Sequence, residues 1–461
     1  MGKLQAVYDH VPIFMQNLMC SVSGWTKYRQ RYGTEYRKAR EFCAEFDSWP
    51  EARQIAYQNE QLAAFVRFAA ENSPFYRELY SGVDLGAIHT PEDLSALPVV
   101  TKEMLRSNMD RIRTIPLSEG EAGNTGGTTG KSLTVVYTHA DMNFRMAVLD
   151  HFKSRVGFEN LKMRRATFNG KHIIPPGQKK HVYWRYNQPC RQMIYSSFDL
   201  TEEKMGYYVE SLNRYKPEAI DGFFTSVCDL ARYMERHGLK PSFQPVAVFP
   251  TSETLNPEGR ALIERVFGCK VYDQYASSEG APFVTECKNQ VLHMERHTGV
   301  IEIQPNGEIL VTSFTTHGTP LIRYAIGDVM TPAEEGRVCS CGLHGPVIRS
   351  IQGRRLDFLY RPDGAKINAG NVSNLLKYLP NSVVRAQFRQ SRLDEVQILL
   401  EMDRPTFEEN QRRALADECR HTLGEDMKID VQLVDSIPRA ASGKFRMIVN
   451  EVPADAVPQQ S

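Results

Sequence analysis

The run Asn124-Thr125-Gly126-Gly127-Thr128-Thr129-Gly130-Lys131-Ser132 constrains this chain more than any other stretch. Three glycines, three threonines and a lysine fall within nine residues. Glycine lets a backbone turn sharply and come close to a ligand. Successive N–H groups in such a loop make an anion-binding concavity, to which threonine hydroxyls and a lysine add donors and charge. Its natural guest is a phosphate. Counting excludes a Walker loop, which needs a glycine five residues before the Gly of its Gly-Lys-Ser; that position is Thr125. Residues 133–138, Leu-Thr-Val-Val-Tyr-Thr, read as a strand where a Walker loop would open a helix. A P-loop kinase is therefore set aside. Taken alone the loop is a polar turn, and the rest of the chain must decide its role.

At 461 residues the chain exceeds one ordinary core, so two or more domains are expected. Its 56 Lys and Arg against 55 Asp and Glu leave a net charge of +1, with no electrostatic footprint for nucleic acid. No apolar run is long enough to cross a bilayer and the first residues lack a secretory pattern, so no membrane partner is expected. Nine scattered cysteines, an odd number, point to a reducing cytoplasm and to thiols or metal ligands rather than a disulfide framework.

Apolar spacing at 35–46 and 51–71 predicts a helical arm over about residues 1–70. Short apolar runs at 165–168 and 246–249 alternate with helical patterns at 202–215 and 229–237. Such alternation predicts an α/β fold with mainly parallel sheets. Beyond Gly353-Arg354-Arg355 come a strand at 396–400, a charged helix at 406–423 and a strand at 429–434. That is a small α+β domain, giving a large domain over 1–352 and a small one over 353–455.

Four further motifs follow the loop in order. Tyr275-Ala276-Ser277-Ser278-Glu279-Gly280 offers a carboxylate, the right ligand for the hard cation Mg²⁺. Ile322-Arg323-Tyr324-Ala325-Ile326-Gly327-Asp328 ends in a carboxylate able to accept from two hydroxyls of a diol. Gly353-Arg354-Arg355-Leu356-Asp357 marks the domain junction, and Pro438-Arg439-Ala440-Ala441-Ser442-Gly443-Lys444 ends in a lysine. Each alone is a common turn or solvated surface. Together and in this order they resemble the adenylate-forming superfamily of acyl-CoA synthetases, amino-acid adenylation domains and luciferases, over nearly the whole chain. Asn72-Ser73-Pro74-Phe75-Tyr76-Arg77 and Leu97-Pro98-Val99-Val100-Thr101-Lys102 look like its phenylacetate–CoA ligase branch. Trp184-Arg185-Tyr186-Asn187 and Ser196-Ser197-Phe198-Asp199-Leu200 look like a part of that branch associated with capsular polysaccharide synthesis.

The resemblance implies a large N-terminal adenylate-forming domain of mixed and parallel sheets and a small mobile C-terminal α+β domain. It implies that Thr125, Gly126, Gly127, Thr128, Thr129, Gly130 and Lys131 hold phosphates, and that Tyr275, Ser277, Ser278, Asp328 and Arg354 surround the nucleotide. Glu279 would hold Mg²⁺, Asp328 would accept from the ribose hydroxyls, and Lys444 would enter the site for adenylation. A mobile cation suits that step, because attack of a carboxylate on ATP develops negative charge at phosphorus. The family's hinge aspartate is replaced by Leu356, while Asp357 matches its neighbour. Thr251-Ser252-Glu253-Thr254 resembles a further segment near nucleotide and acyl group, and Phe223, Phe224, Ser226 and Glu253 are candidates for the acyl pocket.

Cys339-Ser340-Cys341-Gly342 forms half of a metal site, since two thiolates one residue apart on a turn can face one ion. Cys287 and His293 are the nearest candidates to complete a zinc tetrahedron, with His297 and His344 as rivals for the histidine. Relatives in the phenylacetate–CoA ligase branch look similar here and carry a structural metal. The expected function is AMP-forming activation of a small carboxylic acid with ATP and Mg²⁺, followed by transfer to CoA. An amine acceptor and a non-catalytic adenylate-binding protein are the alternatives.

Overall fold

The computed structural model describes residues 7–453 and 456, except 125–133, 172, 176–177, 335, 355–357, 363–365, 369–371, 373–374, 376–382, 403–407 and 438–444. The expected phosphate loop, Leu356, Asp357 and Lys444 thus lie outside the described residues.

The predicted arm is three helices, α1 (Ile13–Arg31), α2 (Thr34–Asp47) and α3 (Glu51–Asn72). The apolar stripe of α3 places Leu62, Phe65, Val66 and Ala69 in the main core, so the arm is part of the body. Strands β1 (Glu121–Asn124) and β2 (Thr134–Tyr137) pair antiparallel and bracket the glycine-rich run. Thr138 then caps α4 (His139–Ser154). Its Oγ1 accepts from Asp141 N at 3.0 Å, while Asp141 Oδ2 accepts from Thr138 N.

A six-stranded sheet follows: β3 (Arg165–Asn169), β4 (Trp184–Asn187), β5 (Gln192–Ser196), β6 (Ala219–Phe223), β7 (Ala247–Thr251) and β8 (Lys270–Val271), in the order β4-β5-β3-β6-β7-β8. Only the β4–β5 pair is antiparallel. Helices α5 (Glu202–Tyr215), α6 (Phe224–Arg236) and α7 (Pro257–Phe267) connect these strands. The middle strands are buried on both faces, which is why β6 and β7 read as short apolar runs without alternation. At the end of β6, Gly222 has φ +134°, and a Cβ there would sit 1.9 Å from Phe168 O. Only glycine allows that close approach of β6 to β3.

The second large sheet has seven strands: β9 (Gln274–Tyr275), β10 (Val284–Glu286), β11 (Leu292–Met294), β12 (Gly299–Ile303), β13 (Glu308–Ser313), β14 (Leu321–Pro332) and β15 (Val347–Arg354). All its pairings are antiparallel, in the order β12-β13-β14-β15-β11-β10-β9. Parallel pairing therefore dominates the six-stranded sheet and is absent from the seven-stranded one. The β14–β15 pairing carries two bulges, at Val329/Met330 and Thr331/Pro332. The main core lies between this sheet and α3.

Strand β15 keeps Gly353 and Arg354 in the seven-stranded sheet, paired with Val329 and Asp328. From Leu359 onward a separate core forms around Phe388, Val396, Ile398, Leu400, Leu415, Cys419 and Ile448. It is built on β16 (Phe358–Tyr360), β17 (Lys366–Asn368), β18 (Val383–Arg392), β19 (Glu395–Met402), β20 (Lys428–Val434), β21 (Ile448–Asn450) and helix α8 (Glu409–Leu423). The expected α+β pattern is present, with a four-stranded sheet in the order β20-β19-β18-β21. No helix among the described residues is long and apolar enough to cross a membrane.

Candidate active site and thiol cluster

The motif residues meet where β9, β14 and the β1–β2 hairpin come together. Asp328 is buried on β14, and Tyr275 Oη on β9 donates to its Oδ2 at 2.6 Å. Across the sheet Asp328 is in register with Arg354. Ser277 shapes the turn after Tyr275, its Oγ accepting from Gly280 N at 3.1 Å and Ala281 N at 3.0 Å. Gly280 has φ +104°, and a Cβ there would strike Thr316 Cγ2 at 2.5 Å. Glu279, 1% exposed, faces Lys102 Nζ at 3.8 Å.

The stems of the glycine-rich run lie against this turn. Tyr137 Oη on β2 donates to Ser278 O at 2.8 Å. On β1, a Cβ added to Gly123 would come within 2.9 Å of the same oxygen. The β1–β2 hairpin is thus anchored on the turn that carries Ser278 and Glu279.

Two further residues support the site, neither of them among the expected site residues. Arg145 on α4 is buried, and its Nη1 donates to Gly280 O, Ala281 O and Thr315 Oγ1 at 3.1, 3.1 and 2.7 Å. It supports the Glu279 turn from below, with its guanidinium 4.4 Å from the Phe283 ring centroid. Burial lowers its pKa, and three acceptors at one nitrogen keep the cation satisfied. Lys102 is the other. Val100 N donates to Arg323 O and Ala325 N to Val100 O, which stitches this segment to β14 and carries Lys102 to Glu279.

Glu253 follows Ser252, whose φ of +67° turns the chain sharply after β7. Its carboxylate accepts from Thr225 N at 2.7 Å and from Thr225 Oγ1. It also accepts from the backbone N of Phe445 at 3.3 Å. The neighbouring contacts centre on Arg385 of β18. Its guanidinium bonds Asp229 of α6 and, at 3.2 Å, Glu401 of β19. It also lies 5.5 Å from the Phe445 ring centroid. Glu401 in turn accepts from Ile437 N at 2.8 Å. The residues on either side of 438–444 are thus fixed, one to Glu401 and the other to Glu253. Among the acyl-pocket candidates, Phe224 is packed into the core of the six-stranded sheet, while Phe223 and Ser226 are buried beside it at the start of α6.

Cys287, His293, Cys339 and Cys341 form one cluster, their ligand atoms all within 4.8 Å of one another. Cys287 follows β10, His293 lies on β11, and the other two come from the β14–β15 loop. Cys287 Sγ is 3.7 Å from Cys339 Sγ, and Cys341 Sγ is 3.5 Å from His293 Nε2. His293 Nδ1 lies 3.1 Å from Gly345 O, which fixes the ring with Nε2 toward the thiols. Burial opposes ionisation of Cys287, but the bond from His293 and nearby backbone N–H groups lower its thiol to about 6. Cys287 and Cys339 likewise raise His293 to about 9 against the effect of burial. Burial and the adjacent sulfurs push Cys341 up to about 12. Three sulfurs and one imidazole are the donor set of a closed structural zinc site, and the residues present fit one. His297 is elsewhere, fully buried with Nε2 3.7 Å from Cys43 Sγ, and His344 is exposed outside the cluster.

Comparison with known proteins agrees with this geometry. Residues 359–451 match the family described as the CapK C-terminal domain. Protein CapK of Staphylococcus aureus is 36% identical over 455 residues, covering 97% of this chain and all of that protein. A phenylacetate–coenzyme A ligase of Thermus thermophilus is 25% identical, covering 88% of this chain and 98% of that one. In fold, the chain resembles 2-hydroxyisobutyryl-CoA ligase crystallised in its postadenylation state with R3-HIB-AMP. The TM-score is 0.69 at 19% identity, covering 88% of this chain and 91% of that one. The full-length match to CapK and the shared fold of the ligases show that the chain belongs to the CapK-like, phenylacetate–CoA ligase-related family of adenylate-forming ligases.

Proposed function

We propose that this chain activates a small carboxylic acid with ATP and transfers the acyl group to CoA. The observation that carries the reading is the Tyr275–Asp328 pair beside the Ser278–Glu279 turn, on which the β1–β2 hairpin is anchored. In the first step a carboxylate oxygen of the acid attacks the α-phosphorus of ATP and pyrophosphate leaves. In the second the thiolate of CoA attacks the acyl carbonyl and AMP leaves. Asp328 accepts from the ribose hydroxyls, held in place by Tyr275. The 125–133 loop cradles the phosphates through its N–H groups and Lys131. Glu279 would hold Mg²⁺, which neutralises phosphate charge when bound. Lys444 is the mobile cation, and the bond from Phe445 N to Glu253 supports the approach of its segment to the large domain. We take the junction between the two bodies to lie between Arg354 and Leu359, and the thiol cluster to hold a structural zinc ion. Glu253 docks the C-terminal body rather than contacting the acid.

The test is pyrophosphate release from ATP over a panel of acids, with CoA and with amines as acceptors. Acid-dependent release followed by a CoA thioester supports the proposal, and an amide product would replace CoA by an amine. Lys444→Ala should slow adenylate formation by about 10²–10³, the contribution of one preorganised charge donor. It should leave transfer from presynthesised acyl-adenylate near normal. No release with any acid, together with tight adenylate binding, would favour a non-catalytic protein.

A further inference from the structure

Helix α1 is inverted relative to an ordinary surface helix. Phe14, Leu18, Val22 and Trp25 are spaced by four, four and three residues, so they form one stripe. Their exposures are 71%, 61%, 58% and 48%. The face turned to the protein is small and polar instead. Gln16 and Gly24 are buried, and a Cβ on Gly24 would overlap the Asn187 amide. Asn17 Oδ1 accepts from Tyr186 N at 2.9 Å, and Ser21 Oγ donates to Tyr186 O at 3.2 Å. A contiguous exposed apolar stripe of this size marks a binding surface.

The charge around the stripe is one-sided. Residues 10–34 and 160–198 contain no Asp or Glu, in a chain whose acids and bases otherwise balance. These two segments pack on each other through α1 and β4. Lys27, Arg29, Lys171, Lys179 and Lys180 are exposed there. Arg29 stacks on the stripe itself, 3.7 Å from the Trp25 ring centroid. Burial and then the charges of Lys27 and Arg31 depress the Lys171 ammonium, so the two segments share one positive field. A second copy of the chain is a poor occupant, because a two-fold contact would press two predominantly basic faces together, and Glu121, which reaches α1, is already paired with Arg31. An aromatic and aliphatic stripe edged by cations without acids matches a helix lying in the plane of an anionic bilayer surface.

We propose that α1 docks this enzyme peripherally on anionic phospholipid, with Phe14, Leu18, Val22 and Trp25 at the headgroup boundary and Lys27, Arg29 and Lys171 facing lipid phosphates. The expectation of no membrane partner rested on the lack of a spanning segment, which does not bear on a helix lying in the interface.

The test is co-sedimentation of the full chain with vesicles of phosphatidylcholine alone and of phosphatidylcholine mixed with phosphatidylglycerol. Binding is expected only to the anionic vesicles, and it should weaken as salt rises. Leu18→Ser with Val22→Ser, and separately Lys27→Glu with Lys171→Glu, should each lower the partition by about tenfold or more. Circular dichroism and pyrophosphate release should stay unchanged. If the double serine variant fails to fold, Phe14→Ser carries the same test. Absence of binding at low salt, equal binding to neutral vesicles, or unchanged binding by both double variants would overturn the proposal. So would a wild-type dimer in sedimentation velocity that the serine variant dissociates.

Discussion

Asp229→Asn tests how the C-terminal body is held against α6. Asp229 is 3% exposed and bonds Arg385 across the two bodies. Neither partner depends on that bond alone: Asp229 keeps Arg232 at 3.3 Å and Arg385 keeps Glu401 at 3.2 Å. The substitution therefore strands no buried charge, and the penalty of about 3–5 kcal/mol for breaking a buried pair does not apply. What is lost is the opposite charge: the amide oxygen still accepts from the cationic guanidinium, and the bond falls within the range of about 1.5–3 kcal/mol for charged groups toward the value of about 0.5–1.5 for neutral ones. The difference, about 1–2 kcal/mol, lowers the equilibrium for docking the C-terminal body on α6 by about five- to thirtyfold. If the closed form is needed for adenylation, single-turnover formation of acyl-adenylate should slow by up to that factor. Transfer from presynthesised adenylate should not slow. Arg385→Lys should fall between, since a point charge keeps attraction but loses the planar fork. The reasoning is refuted if Asp229→Asn slows both half-reactions equally, or if it lowers the thermal midpoint with no kinetic split. Either result would make Asp229 a plain structural residue.

Metal analysis of chain purified without chelator should find about one zinc per chain, as one closed four-ligand site requires, and Cys339→Ser should lower the thermal midpoint more than the turnover rate. Asp328→Ala should weaken ATP binding by about one to two decades, the worth of hydrogen bonds to a charged acceptor, as read by calorimetric titration. His297 gives a pH dependence with a definite sign. Burial lowers its folded pKa to about 4 from 6.5, so between those values the unfolded chain takes up a proton that the fold refuses. Stability should fall by about 1.4 kcal/mol per pH unit over that window as the medium is acidified, and not above it. Thermal melts between pH 7 and pH 5 should show this slope in the wild type and a flatter one in His297→Gln. The depressed carboxyls of Asp47 and Glu295, both bonded to Arg155, add their loss only at more acid pH.

Local patterns read well from the sequence. Helices at 35–46, 51–71 and 202–215 and strands at 165–168 and 429–434 match the structure within about two residues, because each carries its period in its own residues. Helix α6 starts at Phe224 rather than 229, since Phe224, Ser226 and Val227 face a core that the local pattern does not reveal. The seven-stranded antiparallel sheet was harder to see. Strands β9, β10 and β11 have two or three residues each, too short for alternation to register. Within the site, Tyr275, Glu279 and Asp328 were legible because their motifs are contiguous. Arg145 and Arg385 were not, because each acts on a residue more than 130 positions away, and Lys102 was legible only as the end of a motif with no role attached. Nothing in the neighbouring sequence of such a residue distinguishes it from a surface cation.

The two bulges in the β14–β15 pairing have a mechanical consequence. Each lets a strand gain or lose a residue against its neighbour, and both lie between the thiol-bearing turn and Asp328. A slip of one position would turn Asp328 to the opposite face of the sheet and carry it away from Tyr275. Cys339 and Cys341, tied to Cys287 and His293 on the adjoining hairpin, clamp the far end of that same ribbon. Oxidation or alkylation of those sulfurs should therefore loosen the register that places Asp328 opposite Tyr275, together with the stability of the sheet.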